Sequence, residues 1–166
     1  ALHSWRREAI AGILGSVAVY TQLDEVALQA LWSVYDDHAL LVRAEGIAQG
    51  SINTTYRLQT EAGVFYLRIN EDKESHDVWY EAELLDHLAA ARLDVVTPTI
   101  KRTRIGGRFF HLEQRSGRPV WAAIFPLLPG RDLGVFEVTP SHTAQIGLFM
   151  ARAHRALRRF RGARGT

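Results

Sequence analysis

The sequence predicts an α+β fold, in which an antiparallel sheet has one helix inserted between its strands. Helical periodicity of apolar residues appears over residues 22–35, 77–91 and about 141–160. Five runs rich in β-branched and aromatic residues fall between these helices, three before the second helix and two after it. Because the strands are grouped and do not alternate singly with helices, a doubly wound parallel sheet is excluded.

The first helix is predicted over residues 22–35, with Thr21 as its N-cap. Asp24 and Glu25 fall in its first turn, where the helix dipole favours acidic side chains. Its apolar residues recur mainly along one side, which is predicted to face the core: Leu23, Val26, Leu28, Leu31, Trp32 and Tyr35.

Three strands are predicted next, at about 39–47, 54–60 and 64–69, and residues 61–63 form a hairpin turn between the last two. The helix at 77–91 follows. Its side chains predicted to face the core are Trp79, Leu84, Leu85 and Leu88.

Two further strands, "GRFFHLEQ" and "PVWAAIFPLL", are predicted on either side of a turn at residues 116–119. Pro129-Gly130 ends the sheet region. The last helix has a start signal in Thr139-Pro140-Ser141, because threonine caps a helix well and proline suits its first turn.

The composition of the 166 residues is that of a chain able to bury a core, with 47% hydrophobic and 23% charged residues. Cysteine is absent, which excludes disulfides and thiolate metal sites and fits a cytoplasmic protein. The net charge of +2 does not call for a nucleic-acid partner. The seven histidines lack paired metal-ligand spacing, so no metal site is predicted from them.

Residues 1–17 are predicted to be an N-terminal extension outside the fold. Arginines followed by a short apolar run leave a signal peptide open as the alternative, although Glu8 interrupts that pattern. The apolar run falls well short of the roughly 20 residues that a membrane span needs.

A glycine-rich segment separates the first two strands. Gly46 and Gly50 allow a close approach of backbone N–H groups to an anion, and Ser51 and Asn53 add polar side chains. The segment matches neither of the common glycine-rich phosphate motifs, so a plain hairpin connection stays open beside a phosphate-covering loop.

Arg68 lies between the apolar residues Leu67 and Ile69 in a predicted strand, where a half-buried cation requires an anion. Protein kinases use a cation at this place to hold phosphates and pair it with a glutamate of the next helix. Glu81 and Glu83 are available there, but they diverge by about 200° around a helix, so only one faces Arg68. A salt bridge without any ligand is the alternative.

The ordered segments "AVYTQ", "GIAQGSINTTYRLQTEAGVFYLRI", "YEAELLDHLAA", "GRPVWAAIFPLLPGRDL" and "TPSHTAQIGLFMARAHRAL" resemble the N-terminal half of bacterial homoserine kinases. These enzymes belong to the aminoglycoside phosphotransferase and choline kinase-like superfamily. The resemblance covers about residues 17–160. It implies a kinase-like N-lobe at 18–130, and a linker with the first helix of a truncated C-lobe at 131–166. Because relatives begin near a Val-Tyr-Thr that matches residues 19–21, it also implies that residues 1–16 precede the natural start.

The resemblance implies an ATP-dependent phosphotransferase for a small-molecule hydroxyl, with homoserine as the expected acceptor and threonine biosynthesis as the pathway. It implies that Gly50, Ser51 and Asn53 cover the phosphates, that Arg68 contacts the α/β-phosphates and that Glu81 orients Arg68. It further implies that backbone groups of Phe125 and Leu127 bind adenine; a strand that simply ends there is the alternative.

A phosphotransferase of this kind also needs a base for the hydroxyl and carboxylates for Mg²⁺. The family's His-Gly-Asp-x-x-x-x-Asn loop is absent: His76-Asp77 is followed by Ala82 where an asparagine is required, and no aspartate follows His154. We therefore expect the catalytic residues and the Mg²⁺ ligands in a missing C-lobe, and an inactive isolated chain.

Three alternatives stay open from the sequence alone. In the first, the chain is a non-catalytic lobe that binds a nucleotide or a partner. In the second, it belongs to a kinase for choline or an aminoglycoside. The third is nucleic-acid binding. The arginines from Arg152 to Arg164 suit either a helix C-terminus or nucleic-acid binding, and we favour the helix C-terminus.

A truncated C-lobe leaves one face of the last helix exposed, which predicts self-association through that face.

Overall fold

The computed structural model describes residues 21–36, 38–47, 52–113 and 119–162. The predicted order of helix, three strands, helix, two strands and helix is confirmed, with a short 3₁₀ turn at Val135–Glu137 before the last helix. The elements are α1 (Glu25–Tyr35), β1 (Leu41–Ile47), β2 (Thr54–Thr60), β3 (Gly63–Asn70), α2 (Ser75–Ala90), β4 (Phe110–Glu113), β5 (Pro119–Pro126) and α3 (Pro140–Leu157).

The five strands form one sheet, in the spatial order β1-β2-β3-β5-β4. The pairs β1–β2, β2–β3 and β4–β5 are antiparallel. The predicted turn between β2 and β3 is confirmed: Thr60 pairs with Gly63, whose φ of 127° suits glycine and few other residues. The predicted turn at residues 116–119 lies mostly outside the described residues, because the description resumes only at Pro119.

The chain packs as two compact units that interleave along the sequence. One comprises Ala1–Lys73 and Lys101–Phe125, and the other comprises Glu74–Ile100 and Pro126–Thr166. The first holds α1 and the sheet, and the second holds α2, the 3₁₀ turn and α3. The predicted lobes at 18–130 and 131–166, and the extension at 1–17, stay predictions.

The core of the first unit lies between α1 and one face of the sheet. Trp32, predicted to be core, is fully buried, and its indole nitrogen donates to the carbonyl of Ala39 at 2.7 Å. Burying each such large apolar side chain stabilises the fold by roughly 1.5–3 kcal/mol. The sheet contributes residues of one alternating set to this core, among them Leu58, Leu67, Ile69, Val120, Ala122 and Ile124.

Two predictions about α1 are wrong. Its N-cap is Asp24, whose Oδ1 accepts from the backbone N–H of Ala27 at 2.8 Å. Thr21 instead donates to the carboxylate of Glu71 from its backbone and its hydroxyl. Val26 is 66% exposed, because it lies about 200° around the helix from Leu28, which belongs to the buried stripe.

In the second unit α2 packs against α3 near the C-terminal ends of both helices. Tyr80 and His87 both contact the ring of Phe160, with centroids 5.4 and 5.3 Å apart, and His87 Nε2 donates to the carbonyl of Ala156 at 2.9 Å. α2 begins at Ser75 rather than at residue 77.

The predicted core face of α2 is wrong at Trp79, which is 40% exposed. The fully buried stripe runs through Val78 and Ala82, four residues apart, and Trp79 lies about 100° around the helix from Val78. The three predicted leucines, at positions 84, 85 and 88, are half-buried.

The predicted start of α3 is confirmed. Thr139 is the N-cap, its hydroxyl accepts from the backbone N–H of His142, and Pro140 occupies the first turn. Ile146, Leu148 and Met150 on this helix are about half exposed or more. No helix in the described ranges is long and apolar enough to cross a membrane.

Candidate functional site

The candidate site lies on the face of the sheet opposite to α1. Side chains alternate along a strand, and Leu67 and Ile69 are fully buried in the core with α1. Arg68 therefore projects to the other face, where it is half-buried. The local sequence "LRI" thus places a cation in a sheet without placing it in the hydrophobic core.

Arg68 lies over the aromatic ring of Phe125. Its guanidinium carbon is 4.7 Å from the ring centroid, and the two residues come from the neighbouring strands β3 and β5. Cation–π contacts of this kind contribute about 0.5–1 kcal/mol at exposed sites and about 2 kcal/mol where water is excluded. The ring thus covers the guanidinium on the sheet face that strand alternation assigns to Arg68.

Two residues of the neighbouring strands extend this face toward the glycine-rich segment. Thr55 is directly opposite Arg68, and Ile47 is directly opposite Thr55. Directly opposed residues of antiparallel strands project to the same face. Ile47, Thr55, Arg68 and Phe125 therefore form a row across four strands, which combines an apolar residue, a hydroxyl, a cation and a ring.

Asn53 stands at the end of the glycine-rich segment, directly before β2. Its Oδ1 atom is buried and has no hydrogen-bond partner in the part of the chain that the structure describes. A buried acceptor without a partner costs about 1–3 kcal/mol, so the position favours a ligand or loop group that donates a hydrogen bond. The amide nitrogen of the same side chain is a donor, which is the group that a phosphate oxygen needs. Gly50 and Ser51 lie outside the described residues.

Glu71 is a positioning residue that the sequence did not reveal. Its carboxylate accepts from the Thr21 N–H at 3.1 Å, from the Thr21 hydroxyl at 2.9 Å and from the Thr54 hydroxyl. Thr54 is the neighbour of Asn53 and is fully buried. The network thus joins the segment before α1, the start of β2 and the end of β3. No local pattern signals it, because its members are up to 50 residues apart.

Asn70 is a second such residue, at the end of β3 and on the same alternating set as Arg68. Its side chain is fully buried, and its Nδ2 donates to the carbonyl of Trp121 on β5 at 3.1 Å. This bond ties together the two strands that bring Arg68 and Phe125 into contact.

Two of the predicted site residues belong to the second unit. Glu81 is half-buried on α2, as is Glu83. Leu127 follows the end of β5 and is 51% exposed. Their predicted roles, the pairing of Glu81 with Arg68 and the contact of Leu127 with adenine, stay predictions. Over the described ranges no group of three or more His, Asp or Glu side chains is arranged to hold a metal ion.

Comparison with known proteins gives a family and a set of relatives. The sequence profile of the phosphotransferase enzyme family matches residues 43–166. Among curated proteins the chain is 33% identical over 141 residues to a homoserine kinase of Xanthobacter autotrophicus, covering 84% of this chain and 41% of the relative. It is 36% identical over 154 residues to a homoserine kinase of Methylocella silvestris, covering 90% and 44%. The chain thus spans less than half the length of these relatives.

Two solved structures have a similar fold. A microcompartment-associated aminopropanol kinase superposes with a TM-score of 0.64 at 21% identity, covering 86% of this chain and 44% of its own. An amicoumacin kinase in complex with AMP-PNP, Ca²⁺ and Ami superposes with a TM-score of 0.63 at 14% identity, covering 84% and 41%. The expected kinase-like fold is thereby confirmed.

Proposed function

The chain belongs to the phosphotransferase enzyme family, and from that membership we propose that it supplies the ATP-binding part of a kinase for a small-molecule hydroxyl. The observation that carries this proposal is the position of Arg68. A guanidinium held over Phe125, on the sheet face turned away from the core, is a preformed cation for a phosphate.

Each predicted site residue has a distinct role in the proposed site. Arg68 binds the α/β-phosphates through two parallel N–H donors, which an ammonium does not offer. Phe125 orients the guanidinium through its ring, while its backbone, with that of Leu127, binds the adenine edge. Gly50 and Ser51 cover the phosphates, and Asn53 contributes its amide. Glu81 orients Arg68 from α2.

Phosphoryl transfer also requires Mg²⁺ ligands and a base for the acceptor hydroxyl. Mg²⁺, when bound, neutralises charge on the transferred phosphoryl group. We propose that the Mg²⁺ ligands and the base for the acceptor hydroxyl come from the portion of the relatives that this chain does not span. We therefore expect the isolated chain to bind nucleotide and not to turn it over.

Homoserine is the proposed acceptor, with O-phosphohomoserine as product. The support is the identity of about one third to homoserine kinases over most of this chain. Threonine biosynthesis is the pathway that this reaction serves, and a cytoplasmic location agrees with it.

Nucleotide binding by the 166-residue chain tests the first part of the proposal. We expect AMP-PNP to bind saturably in a calorimetric titration, and Arg68→Ala to weaken it at least about tenfold through the loss of a charge-assisted bidentate contact. Arg43→Ala is the matched control, since Arg43 is an exposed arginine of the edge strand β1. Equal affinity of the Arg68→Ala variant and the unaltered chain would contradict the assignment.

Acceptor specificity is tested on the protein as purified from its native host. ADP release is measured with homoserine, choline and an aminoglycoside, and we expect the largest kcat/KM with homoserine. A larger value for either other acceptor overturns the homoserine assignment. Nucleotide binding without ADP release by the native protein would instead identify a non-catalytic binding lobe.

A further inference from the structure

The second unit contains a basic cavity that the proposed nucleotide site does not use. It lies between the C-terminal ends of α2 and α3 and has a volume of about 540 Å³. Cavities of roughly 300–1,000 Å³ are the size that binds small-molecule ligands. Its charged lining residues are Arg92, Arg152, Arg155, Arg159 and Asp94.

The charges around this cavity are not balanced within the described residues. Arg152 forms an ion pair with Asp94. Arg92, Arg155 and Arg159 have no carboxylate partner in the described part of the chain, which leaves an excess of about three positive charges. The two helix C-termini at the cavity each contribute about half a negative charge. The dipoles therefore offset about one of the three, and an excess of about two remains.

The backbone at Arg92 brings a further cation to the cavity wall. Arg92 has a φ of 47°, the left-handed conformation that commonly follows a helix C-terminus and that glycine adopts best. A side chain in this conformation costs roughly 1 kcal/mol or more. Here the strained residue adds one more cation to a cavity wall that already has three other arginine side chains.

We propose that this cavity binds a phosphate-bearing anion through Arg92, Arg155 and Arg159. Guanidinium groups recognise phosphate through paired donors, and an excess of about two charges matches a doubly charged phosphate group. The lining contains no Phe, Tyr or Trp on which a base would stack. The ligand is therefore a small phosphorylated compound or inorganic polyphosphate, rather than a nucleic-acid strand.

The test uses inorganic pyrophosphate as the probe, titrated into the full chain at constant ionic strength. We expect saturable binding of one pyrophosphate at this cavity in the Arg68→Ala chain, in which the proposed nucleotide site is disabled. The double substitution Arg155→Ala with Arg159→Ala is expected to weaken it at least about tenfold. The matched control is Arg158→Ala with Arg161→Ala, which removes the same charge from the same end of α3 at residues that do not line the cavity. We expect about a twofold effect or less from the control.

A second variant separates binding from folding. Arg92→Gly relieves the positive φ and removes a cation from the cavity. We expect it to raise the Tm by about 2–4 °C while weakening pyrophosphate binding about threefold or more. Unchanged binding in a folded Arg92→Gly variant would remove Arg92 from the site.

Three results overturn the proposal as a whole. They are the absence of saturable binding, equal weakening by the two double substitutions, and loss of pyrophosphate binding in Arg68→Ala. The second would show diffuse attraction to the basic end of α3, and the third would place the anion in the first unit. Retention of pyrophosphate binding by Arg68→Ala supports the cavity, whether or not AMP-PNP binding is found.

Discussion

At the scale of single residues, the candidate site depends on a contact between two side chains that are far apart in sequence. Arg68 and Phe125 meet because β3 and β5 are neighbours in the sheet, with Asn70 joining the two strands through the carbonyl of Trp121. The ring contact reduces the conformational freedom that Arg68 would lose on binding a phosphate.

Phe125→Leu should weaken nucleotide binding while leaving the fold intact. Leucine preserves apolar packing but removes the ring under the guanidinium, so we expect about a three- to tenfold loss of AMP-PNP affinity. Phe125→Tyr keeps the ring and should stay within about twofold of the unaltered chain. Calorimetric titration measures both. An equal loss in the two variants would show that the ring contact with Arg68 does not matter.

Two buried tyrosines make the stability of the first unit sensitive to alkaline pH. Burial raises the pKa of Tyr35 and of Tyr56 above the ordinary value near 10. The folded state therefore retains these protons more strongly than the unfolded state. Their contribution is fully present below about pH 10 and is lost as pH rises through the folded pKa values.

Urea unfolding between pH 8 and pH 11.5 tests this dependence. We expect the free energy of unfolding to fall above about pH 10. The double substitution Tyr35→Phe with Tyr56→Phe should reduce that fall, although its stability at pH 8 will be lower because both hydroxyls form hydrogen bonds. A fall of the same size in the variant would mean that other groups cause it.

At the scale of elements, the N-cap predictions for α1 and α3 had different outcomes. Thr139 caps α3 as predicted, because Thr-Pro-Ser is a local signal that operates within one turn. Thr21 does not cap α1, because Glu71 offers its backbone and hydroxyl a charged acceptor 50 residues away. Asp24 is left as the cap, with its carboxylate at the positive end of the helix dipole.

Asp24→Ala should destabilise the first unit by about 0.5–2 kcal/mol, because the N–H of Ala27 loses its acceptor. Asp24→Asn keeps a cap of similar quality and serves as the control, with a change of a few tenths of a kcal/mol expected. Denaturant titration gives both values. Equal losses in Asp24→Ala and Asp24→Asn would contradict the capping role of this side chain.

At the scale of the whole molecule, the two units carry different chemistry. The first holds the proposed phosphate cation and the residues that position it, and the second holds α2, α3 and the arginine-lined cavity. The relatives are more than twice as long as the matched region, so the activity of the whole protein remains a proposal.

Self-association through α3 remains a prediction at this scale. Ile146 and Met150 lie four residues apart on one side of the helix, and they are 56% and 49% exposed. We expect the sedimentation coefficient of the chain to rise with concentration, and Ile146→Glu with Met150→Glu to abolish that rise. Thr143→Glu with Gln145→Glu adds the same charge to the helix without removing an apolar residue. A coefficient independent of concentration in the unaltered chain would refute the prediction.

The sequence by itself determined the order of the elements, the hairpin turn at residues 61–63 and the start of α3, because periodicity, a glycine and a cap act over a few residues. The candidate role of Arg68 was also predicted, from a cation placed between apolar strand residues. Only the tertiary structure decided that Phe125 lies under Arg68, that Glu71 binds Thr21 and Thr54, and that Trp79 is partly exposed. These features depend on which strands are neighbours and which stripe of a helix is covered, and long-range packing sets both.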